Sequence, residues 1–568
     1  MSTTDLDTLL GDPRVPGPFD YASIVADDAA RRMSGTAEAI LDEWGAAAEF
    51  VPATLGGRWV STEVLVHRWR PIFRRDPSLG LGYGLTTFMA ALNVWAAGDD
   101  EQQAEVAARL LRGERIAVGF HELDHGNDML LNECVAETDG ERWIVHGVKE
   151  VINNVDRAES ILIMARTAAQ PGARSHSLLL WHKDAGTRPY VDTTRRVHTA
   201  GMRGCRIGVA EFRGLPVPKR STIGAPGTAA QTALTAFQVS RALIPALAVA
   251  TVDASIDLAV RYGAERTLYG GPVLGLPHAR SLLAGAIADF LLADALSAVV
   301  VRALHLAPAE CLVLTAASKY LVPQLLQSAM HDLSVLFGST FYARVAPYDV
   351  FEKFLRDLAV VPIGHASSTS CLLTILPNLP VWLRRSQRTK ATDPALFRLG
   401  DPLAELEFAR LTLGAGSYDP LGSALRDPAV RERLDARGID AAMLDRLAGR
   451  LDALREEIAA FPPSALGIDA PPEAFDLAHR LALMLAGGAW AGVGAQGEDT
   501  AVTSDPLVFE ACLRRLEGRL GGRMPPLDPV FVEHLVTFAE DRVARDIRLT
   551  ISAHDDAPYA AATEGDAR

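Results

Sequence analysis

Side chains that could do chemistry lie close together in residues 118–128, which read Val-Gly-Phe-His-Glu-Leu-Asp-His-Gly-Asn-Asp. Residues 121–125 match the pattern H-E-x-x-H, in which two histidines bind zinc and the glutamate acts as a general base. That chemistry requires a helix, because only a helical turn brings the side chains of residues i and i+4 onto one metal ion. Whether the segment is helical therefore decides which chemistry it can do.

The residues on either side of this motif predict a strand and a turn instead. Residues 116–120 read as a strand, and Gly126-Asn127-Asp128 is typical of a turn. In an extended chain, residues four positions apart are about 13 Å apart, which is too far for one ion. We therefore expect no metal site here and interpret residues 118–128 as a loop.

Composition narrows the classes of protein. The chain has 568 residues, of which 49% are hydrophobic and 22% charged, so it can form several hydrophobic cores. Its net charge of −14 argues against nucleic-acid binding. The five cysteines are scattered without a C-x-x-C pair, which favours a reducing cytoplasm and gives neither a disulfide framework nor a thiolate zinc site.

The N-terminus and the two most apolar segments bear on location. The N-terminus is acidic and lacks the charged and apolar regions of a signal peptide, so we expect a cytoplasmic protein. Segments 242–262 and 281–306 are strongly apolar, but each carries two aspartates. Charges at those depths predict buried bundle helices rather than membrane spans.

Hydrophobic periodicity divides the chain into helices, then strands, then helices again. Helical spacing occupies 20–48, 61–75 and 80–112, and strand-like runs lie at 115–121, 130–137, 141–152, 158–166, 176–183 and 206–212, with a hairpin turn at Thr138-Asp139-Gly140. Long helices follow from 227 to 308, broken at Gly270-Gly271-Pro272. Further helices are predicted at 310–337, 367–388, 401–414, 439–460, 473–490, 506–520 and 528–553.

This order predicts an α+β fold that is mainly helical around a central β domain. We expect an N-terminal helical domain at 1–114, a middle antiparallel β-barrel-like domain at 115–226, a C-terminal four-helix bundle at 227–390 and an extra helical C-terminal domain at 391–568.

Motifs at five separated places resemble the acyl-CoA dehydrogenase superfamily. Residues 113–128 resemble that family's G-E-x-x-x-x-x-x-T-E-P-x-x-G-S-D, and residues 143–154 resemble its W-x-x-x-G-x-K-x-W-I-T-N. The remaining matches are Arg203-Gly204 with Phe212 and Val217-Pro218, Arg241 with Arg266-Thr-Leu-Tyr-Gly270, and Arg356-Asp357. The motifs occur in the family's order over about 380 residues, so the resemblance covers the chain up to about residue 390.

The resemblance implies FAD as cofactor. Phe120 and His121 would lie near the isoalloxazine ring, and Asn127 would occupy the position of a serine that contacts acyl-CoA. Ile152 and Asn153 would replace the Ile-Thr pair that meets flavin N5. Val151 replaces a stacking tryptophan, and an ordinary packing role is the better interpretation for it.

The same resemblance places two further cofactor residues on the long helix and its turn. Arg266 would reach the pyrophosphate of a flavin in a neighbouring subunit, since a guanidinium binds phosphate oxygens bidentately. Tyr269 would pack where the family has phenylalanine.

The catalytic base departs from the family pattern. The usual base is a glutamate nine residues after the arginine of R-D, in I-Y-E-G-T, and here that position is His365. The alternative base of some members precedes the helix arginine, where this chain has Ser240. A neutral histidine can abstract the α-proton of an acyl thioester, because its ordinary pKa of about 6.5 lies near the working pH. The alternative, that His365 only fills the pocket, stays open.

Three functions are compatible with this sequence. The first is a flavin-dependent dehydrogenase of acyl groups on CoA or on a carrier protein, with His365 as base. The second is a flavin monooxygenase of the same fold, and the third is a base-deficient, non-catalytic partner subunit. The region after about residue 390 resembles the helical extension of longer family members, such as very-long-chain dehydrogenases and acyl-CoA oxidases, and a homodimer or homotetramer is expected.

Overall fold

The computed structural model describes residues 5–386, 391–416, 418–440, 442–497, 500–522 and 524–552. Helices come first, a sheet follows, and helices occupy the remainder of the described chain. The predicted fold class, mainly helical with a central β region, is therefore confirmed.

The N-terminal part is helical. Asp99 and Gln102 form a reciprocal capping box at the start of the seventh helix, which explains why the predicted run 80–112 is divided near Gly98. A π-helical turn lies between the fifth and sixth helices, at Leu81–Leu85. The helices are α1 (Leu6–Leu10), α2 (Tyr21–Ala29), α3 (Gly35–Trp44), α4 (Thr62–Arg75), α5 (Pro77–Gly80), α6 (Thr86–Ala97) and α7 (Asp100–Leu111).

One mixed sheet follows. Its strands are β1 (Ile116–Gly119), β2 (Val135–Asp139), β3 (Arg142–Asn153), β4 (Ser160–Arg166), β5 (His176–His182), β6 (Val191–Asp192), β7 (Ile207–Pro218) and β8 (Thr222–Ile223). The hydrogen-bonded order is β6-β7-β3-β2-β4-β5-β8, with β1 beside β4. The predicted hairpin turn is confirmed, since β2 and β3 pair antiparallel around Gly140.

The sheet is mostly antiparallel, as predicted, but it departs from a purely antiparallel arrangement, and a closed barrel is not shown. β1 and β2 both pair parallel with β4, so the sheet is mixed. Among the described residues the path of paired strands ends at β6 and β8 without closing. The alternation of apolar residues reports which face of a strand is buried, not the direction of its neighbour, so the parallel pairs left no signal in the sequence.

Three long helices form the bundle. They are α8 (Ala229–Glu265), α9 (Pro277–Leu306) and α10 (Cys311–Phe337), and between α8 and α9 the predicted break forms a small ribbon of β9 (Thr267–Leu268) and β10 (Gly271–Pro272). α8, α9 and α10 pack against one another, and a fourth helix, α13 (Ser368–Ile375), packs on α10. α11 (Ser339–Tyr342), α12 (Val350–Leu358) and α14 (Leu379–Ser386) complete this part, and α12 was not predicted.

Two helices of the described chain, α8 and α9, are long and apolar enough to cross a membrane. In each, 94% of the apolar window is buried inside the protein. Their aspartates form ion pairs there: Asp253 with Arg74 at 2.6 Å and Asp294 with Arg70 at 2.6 Å. The predicted burial of 242–262 and 281–306 within the bundle is therefore confirmed. The ion pairs explain how the aspartates can be buried.

The C-terminal region consists of α15 (Pro420–Ala424), α16 (Pro428–Ala436), α17 (Ala442–Ala460), α18 (Pro472–Gln496), α19 (Pro506–Leu520) and α20 (Pro529–Ala544). α18, α19 and α20 all pack against α9, so this region covers the bundle. The small residues of α18 permit close approach: a Cβ at Gly488 would lie 2.0 Å from the carbonyl oxygen of Leu421.

The helix predicted at 401–414 was wrong, because only a short 3-10 turn at Phe408–Arg410 forms there. Backbone carbonyls of this segment accept hydrogen bonds from side chains of the bundle instead of from helical amides. Gln238 Nε2 donates to the carbonyl of Thr412 at 3.1 Å, and Arg302 Nη1 donates to that of Asp401 at 3.2 Å. The domain boundaries at 114, 226 and 390 fall between elements and stay predictions, and residues 387–390 lie outside the described residues.

Candidate functional site

The H-E-L-D-H segment is a turn and not a helix. It follows β1, and the amide of Gly126 donates to the carbonyl of Glu122 at 2.9 Å, while the amide of Asp128 donates to that of His125 at 3.0 Å. The predicted strand and turn are therefore confirmed. The helical zinc geometry of the motif does not form.

Glu122 holds this loop against the sheet. Its buried carboxylate accepts from Lys149 Nζ of β3 at 2.7 Å and from the amides of Glu133 and Cys134 at 2.7 and 3.1 Å. Burial alone raises the pKa of Glu122, but the attraction of Lys149 and these donors outweigh it, so the pKa is lowered. A carboxylate with these partners is ionised and structural.

The three predicted cofactor residues of this loop differ in their exposure to solvent. Phe120 is buried, and its carbonyl accepts from Asn132 Nδ2 at 2.7 Å. His121 is half-buried, its Nδ1 has no hydrogen-bond partner among the described residues, and burial lowers its pKa. Asn127 is exposed at the outer side of the turn. Phe120 and His121 therefore face the protein, whereas Asn127 faces solvent.

The end of β3 carries backbone strain. Val151 has φ 58°, in a region that β-branched residues rarely adopt, and the register of β3 against β7 shifts between Lys149 and Ile152. Val151 packs on a small buried cluster of Met202, Cys205 and Ile207. Its side chain thus has a packing contact on the sheet side.

Ile152 and Asn153 follow that strained residue and are both buried. Asn153 Nδ2 donates to Thr86 Oγ1 at 2.9 Å and to the carbonyl of Gly82 at 3.4 Å, while its Oδ1 is buried without a partner among the described residues. Gly82 belongs to the π-helical turn, a feature that frequently occurs at functional sites. The N-terminal helices therefore fix the end of β3.

The base-side loop, defined as residues 359–367, follows α12. Both His365 and Ala366 are left-handed, with φ 50° and 72°, and Ala366 stands where the family pattern has glycine. The His365 ring lies edge-on to Phe237 of α8, with ring centroids 4.6 Å apart. The Phe237 ring is 6.5 Å from that of Phe120. Phe237 thus lies close both to the flavin-side loop, defined as residues 118–128, and to the base-side loop.

Two buried cations surround this place. Lys319 of α10 donates from Nζ to the carbonyls of Val361 and Gly364, the latter at 3.1 Å. Arg241 of α8 is 1% exposed, and its Nε and Nη1 have no hydrogen-bond partner among the described residues. Burial, then Lys319 and Arg241, lower the pKa of His365 to about 3. Burial, with a contribution from Arg241, lowers the pKa of Lys319 to about 8.

Sequence reasoning missed Phe237 and Lys319. Phe237 lies one helical turn before Arg241, so it shares a face with that residue. Lys319 is the only lysine or arginine in Cys311–Phe337, and an isolated cation in an apolar helix is a signal that could have found it. Ser240, in contrast, donates to the carbonyl of Phe237 at 3.3 Å within its own helix.

Arg356 and Asp357 connect α12 to distant parts of the chain. Arg356 pairs with Asp28 at 2.6 Å, and Asp357 accepts from the amide of Met202 at 2.6 Å and from Lys353 Nζ at 2.6 Å. α12 is thereby tied to α2 and to the segment before β7. These contacts give the motif a structural role at the start of the base-side loop.

Arg266 and Tyr269 lie apart from these groups. Both are exposed in the β9–β10 ribbon, and Tyr269 is 95% exposed with φ 55°. Within this chain the structure does not bring them to Phe237 and His365.

Comparison with known proteins identifies the scaffold. The model of the acyl-CoA dehydrogenase middle domain matches residues 117–215, and that of the acyl-CoA dehydrogenase C-terminal domain matches residues 230–375. The chain belongs to the acyl-CoA dehydrogenase superfamily. Superfamily membership supports an oxidoreductase of the acyl-CoA dehydrogenase type. Residues 391–568 lie outside both matched domains.

Individual members of the superfamily are distant in sequence. The probable acyl-CoA dehydrogenase FadE25 of Mycobacterium tuberculosis is 25% identical over 351 residues, which cover 60% of this chain and 86% of that protein. Butyryl-CoA dehydrogenase from Megasphaera elsdenii has a TM-score of 0.58 at 17% identity, over 65% of this chain and 96% of its own. The prolyl acyl carrier protein oxidase AnaB has a TM-score of 0.55 at 17% identity, over 62% and 95%. The structural likenesses show the fold.

Proposed function

We propose that this chain is an FAD-dependent oxidoreductase that acts on an acyl group carried as a thioester. The observation that carries the proposal is the position of Phe237, whose ring contacts His365 at 4.6 Å and lies 6.5 Å from Phe120. Two motifs that are far apart in sequence, the flavin-side loop and the base-side loop, thereby meet across one side chain.

Buried polar atoms without partners favour a flavin at this place. His121 Nδ1 and Asn153 Oδ1 both lack a hydrogen-bond partner among the described residues, although buried polar atoms are almost always paired. The edge of an isoalloxazine ring offers both donors and acceptors, so it could satisfy them. The residues present therefore fit the ring, with Phe120 and Ile152 as apolar neighbours. Asn127, exposed on the outer turn, is proposed to meet the CoA part of the ligand.

FAD, when bound, would supply a hydride acceptor. The residues of this chain would hold the acyl group and receive its α-proton. We assign proton acceptance to His365 Nε2 or Nδ1, because a neutral imidazole has a free lone pair. The pKa of about 3 makes His365 a weak base in the ligand-free protein, so the assignment requires a ligand that raises this pKa. Lys319 and Arg241 oppose the resulting imidazolium, so nearby negative charge on the ligand would assist the transfer.

The ribbon residues suit a shared cofactor. The exposed guanidinium of Arg266 is available to a pyrophosphate of a flavin bound to a neighbouring subunit, with Tyr269 beside it. We accordingly propose a homodimer or homotetramer. The acyl carrier is CoA or an acyl carrier protein, since proteins of the same fold include butyryl-CoA dehydrogenase and AnaB, a prolyl acyl carrier protein oxidase. All five cysteines are buried and unpaired, which supports a cytoplasmic location.

A second candidate is a flavin monooxygenase of the same fold. The two cations beside His365 favour it, since both lower the pKa of His365 and so oppose its acceptance of a proton. Oxygen uptake fed by a flavin reductase would identify this activity.

The first experiment is cofactor content. The protein is purified, its visible spectrum is recorded and any released flavin is identified. Bound FAD is expected. A colourless protein that takes up no added FAD would overturn the proposed function and leave the non-catalytic alternative.

A further inference from the structure

We infer that Arg241 and Lys319 form a receptor for a carboxylate carried by the acyl group of the ligand. The inference rests on the proposed function for the statement that the ligand is an acyl thioester. It goes further in naming the substrate class, which is thioesters of dicarboxylic acids.

Arg241 has unused hydrogen-bonding capacity. It is 1% exposed, its Nε and Nη1 donate to no group of the described residues, and it forms no ion pair with a described carboxylate. A guanidinium is always charged and carries five donors, so burial without a partner is strongly unfavourable. An arginine in this state requires an acceptor from outside the described chain.

Lys319, like Arg241, has no carboxylate partner among the described residues. It is fully buried, and its Nζ donates only to the carbonyls of Val361 and Gly364 among the described residues. The titratable groups that act on it are Arg241 and Cys371, neither of which is a carboxylate. Lys353 shows the usual arrangement for comparison, since it pairs with Asp76 at 2.5 Å and Asp357 at 2.6 Å.

Both cations border the base position. Gly364, which Lys319 binds, directly precedes His365, and Phe237, one turn before Arg241, contacts the His365 ring. The replacement of the expected glutamate by His365 removes the negative charge that this place would otherwise hold. Two cations therefore remain beside the reacting end of the proposed ligand without a compensating acid among the described residues.

A carboxylate is the ligand chemistry that fits. Guanidinium and ammonium groups bind carboxylates through charge-assisted hydrogen bonds, and both can act on one anion. A free inorganic anion shares this chemistry, but an acyl carboxylate is delivered by the ligand itself to the place where His365 stands. The carboxylate would also offset the repulsion that Lys319 and Arg241 exert on a protonated His365, so the same group would assist proton acceptance.

The test is equilibrium binding to the FAD-loaded protein by calorimetry. Succinyl-, glutaryl- and adipyl-CoA are compared with butyryl-, pentanoyl- and hexanoyl-CoA, their neutral partners of equal chain length. At least one dicarboxylic thioester should bind ten-fold or more tightly than its partner. The preference should disappear in Arg241→Met and in Lys319→Met, and it should remain in Arg261→Met, a partly exposed arginine of the same helix paired with Asp257. Equal binding within every pair would overturn the inference.

A second measurement does not depend on the variants folding. Binding of the preferred thioester to the unaltered protein between pH 8 and 10 should take up protons, because a bound carboxylate favours the charged form of Lys319. Absence of proton uptake in buffers of different ionisation enthalpy would contradict the receptor. Inorganic phosphate that raises the melting temperature as much as glutarate would assign the site to inorganic anions and would also overturn the inference.

The two proposals fail separately. Bleaching of the flavin by pentanoyl-CoA without any preference for glutaryl-CoA would remove the receptor and leave the oxidoreductase. A dicarboxylic preference in a protein that binds no FAD would leave the receptor and remove the oxidoreductase.

Discussion

The rings of Phe237 and His365 meet edge to face, 4.6 Å between centroids and with an angle of 68° between their planes. Phe237 belongs to α8, and His365 belongs to the loop behind α12, so the contact joins two separate elements of the bundle. Phe237 also approaches Phe120 of the middle region, with ring centroids 6.5 Å apart. One side chain is thus close to both a predicted flavin residue and the predicted base.

Replacement of Phe237 by alanine should impair both stability and cofactor binding. The side chain is 6% exposed, and removal of a buried phenylalanine lowers the free energy of unfolding by about 3–5 kcal/mol. Urea unfolding and FAD titration measure the two effects. Phe408→Ala is the control: the Phe408 ring packs on Trp59 and has no ring contact with Phe237, His365 or Phe120 among the described residues. Its loss should lower stability without changing FAD affinity. Unchanged FAD affinity in Phe237→Ala would contradict the assignment.

His365→Ala and His365→Glu test the base. The alanine variant should slow reduction of the flavin by an acyl thioester about 100- to 10,000-fold, the usual contribution of a general base. Glutamate at this position would pair with Lys319 and Arg241, so it should restore reduction by monocarboxylic thioesters and weaken binding of dicarboxylic ones. Rapid-mixing spectroscopy under anaerobic conditions gives the rates. An alanine variant as fast as the unaltered protein rules out His365 as the base.

Glu122→Gln tests the role of the H-E-L-D-H segment. The change leaves the buried ammonium of Lys149 without its carboxylate, 2.7 Å away, so we expect a loss of about 3–5 kcal/mol in the free energy of unfolding. The double variant Glu122→Gln/Lys149→Met should recover much of that loss, because it removes both charges. Chemical denaturation supplies the measurement. A single variant of normal stability would show that Glu122 is not the structural group described above.

Lys319 should make stability depend on pH in the alkaline range. Burial first, and then Arg241, lower its pKa from the ordinary 10.5 to about 8, so the unfolded chain holds this proton more tightly than the folded one. The free energy of unfolding therefore gains a component as pH rises from 8 towards 10.5, with a slope of at most about 1.4 kcal/mol per pH unit. Lys319→Met lacks that component.

Unfolding of the unaltered protein and of Lys319→Met at pH 8, 9 and 10 measures this difference, which should move in favour of the unaltered protein as pH rises. Lys353→Met is the matched control. The pKa of Lys353 is raised by Asp357 and Asp76 despite its burial, so its contribution is complete throughout this range and the deficit of that variant should stay constant. If the free energy of unfolding of Lys319→Met differs from that of the unaltered protein by the same amount at all three pH values, Lys319 is not a buried cation without a compensating carboxylate.

Local patterns predicted much of the fold. The strand at 116–119, the turn at 126–128 and the break at 270–272 all depend on neighbouring residues, and all are confirmed. Residues 401–414 have a helical pattern but bind Arg302 and Gln238 through backbone carbonyls, a tertiary effect that periodicity does not report. The parallel pairing of β1 with β4 depends on the path of the chain in the same way.

The candidate site was predicted in part. Motif spacing indicated Phe120, His121 and His365, whose segments the structure brings near Phe237, whereas Asn127 and Arg266 face solvent in this chain. Lys319 comes from α10 and reaches the base-side loop only through helix packing. No spacing rule connects residues 319 and 365, so their contact could not be read from the sequence.

The most direct test of the proposed function is an anaerobic titration of the FAD-loaded protein with acyl thioesters. The panel contains the six CoA thioesters named above and the same acyl groups on an acyl carrier protein. At least one thioester should abolish the visible absorbance of oxidised flavin and yield the corresponding enoyl product, with a dicarboxylic member the most effective. Bound FAD whose spectrum no thioester changes would contradict the account.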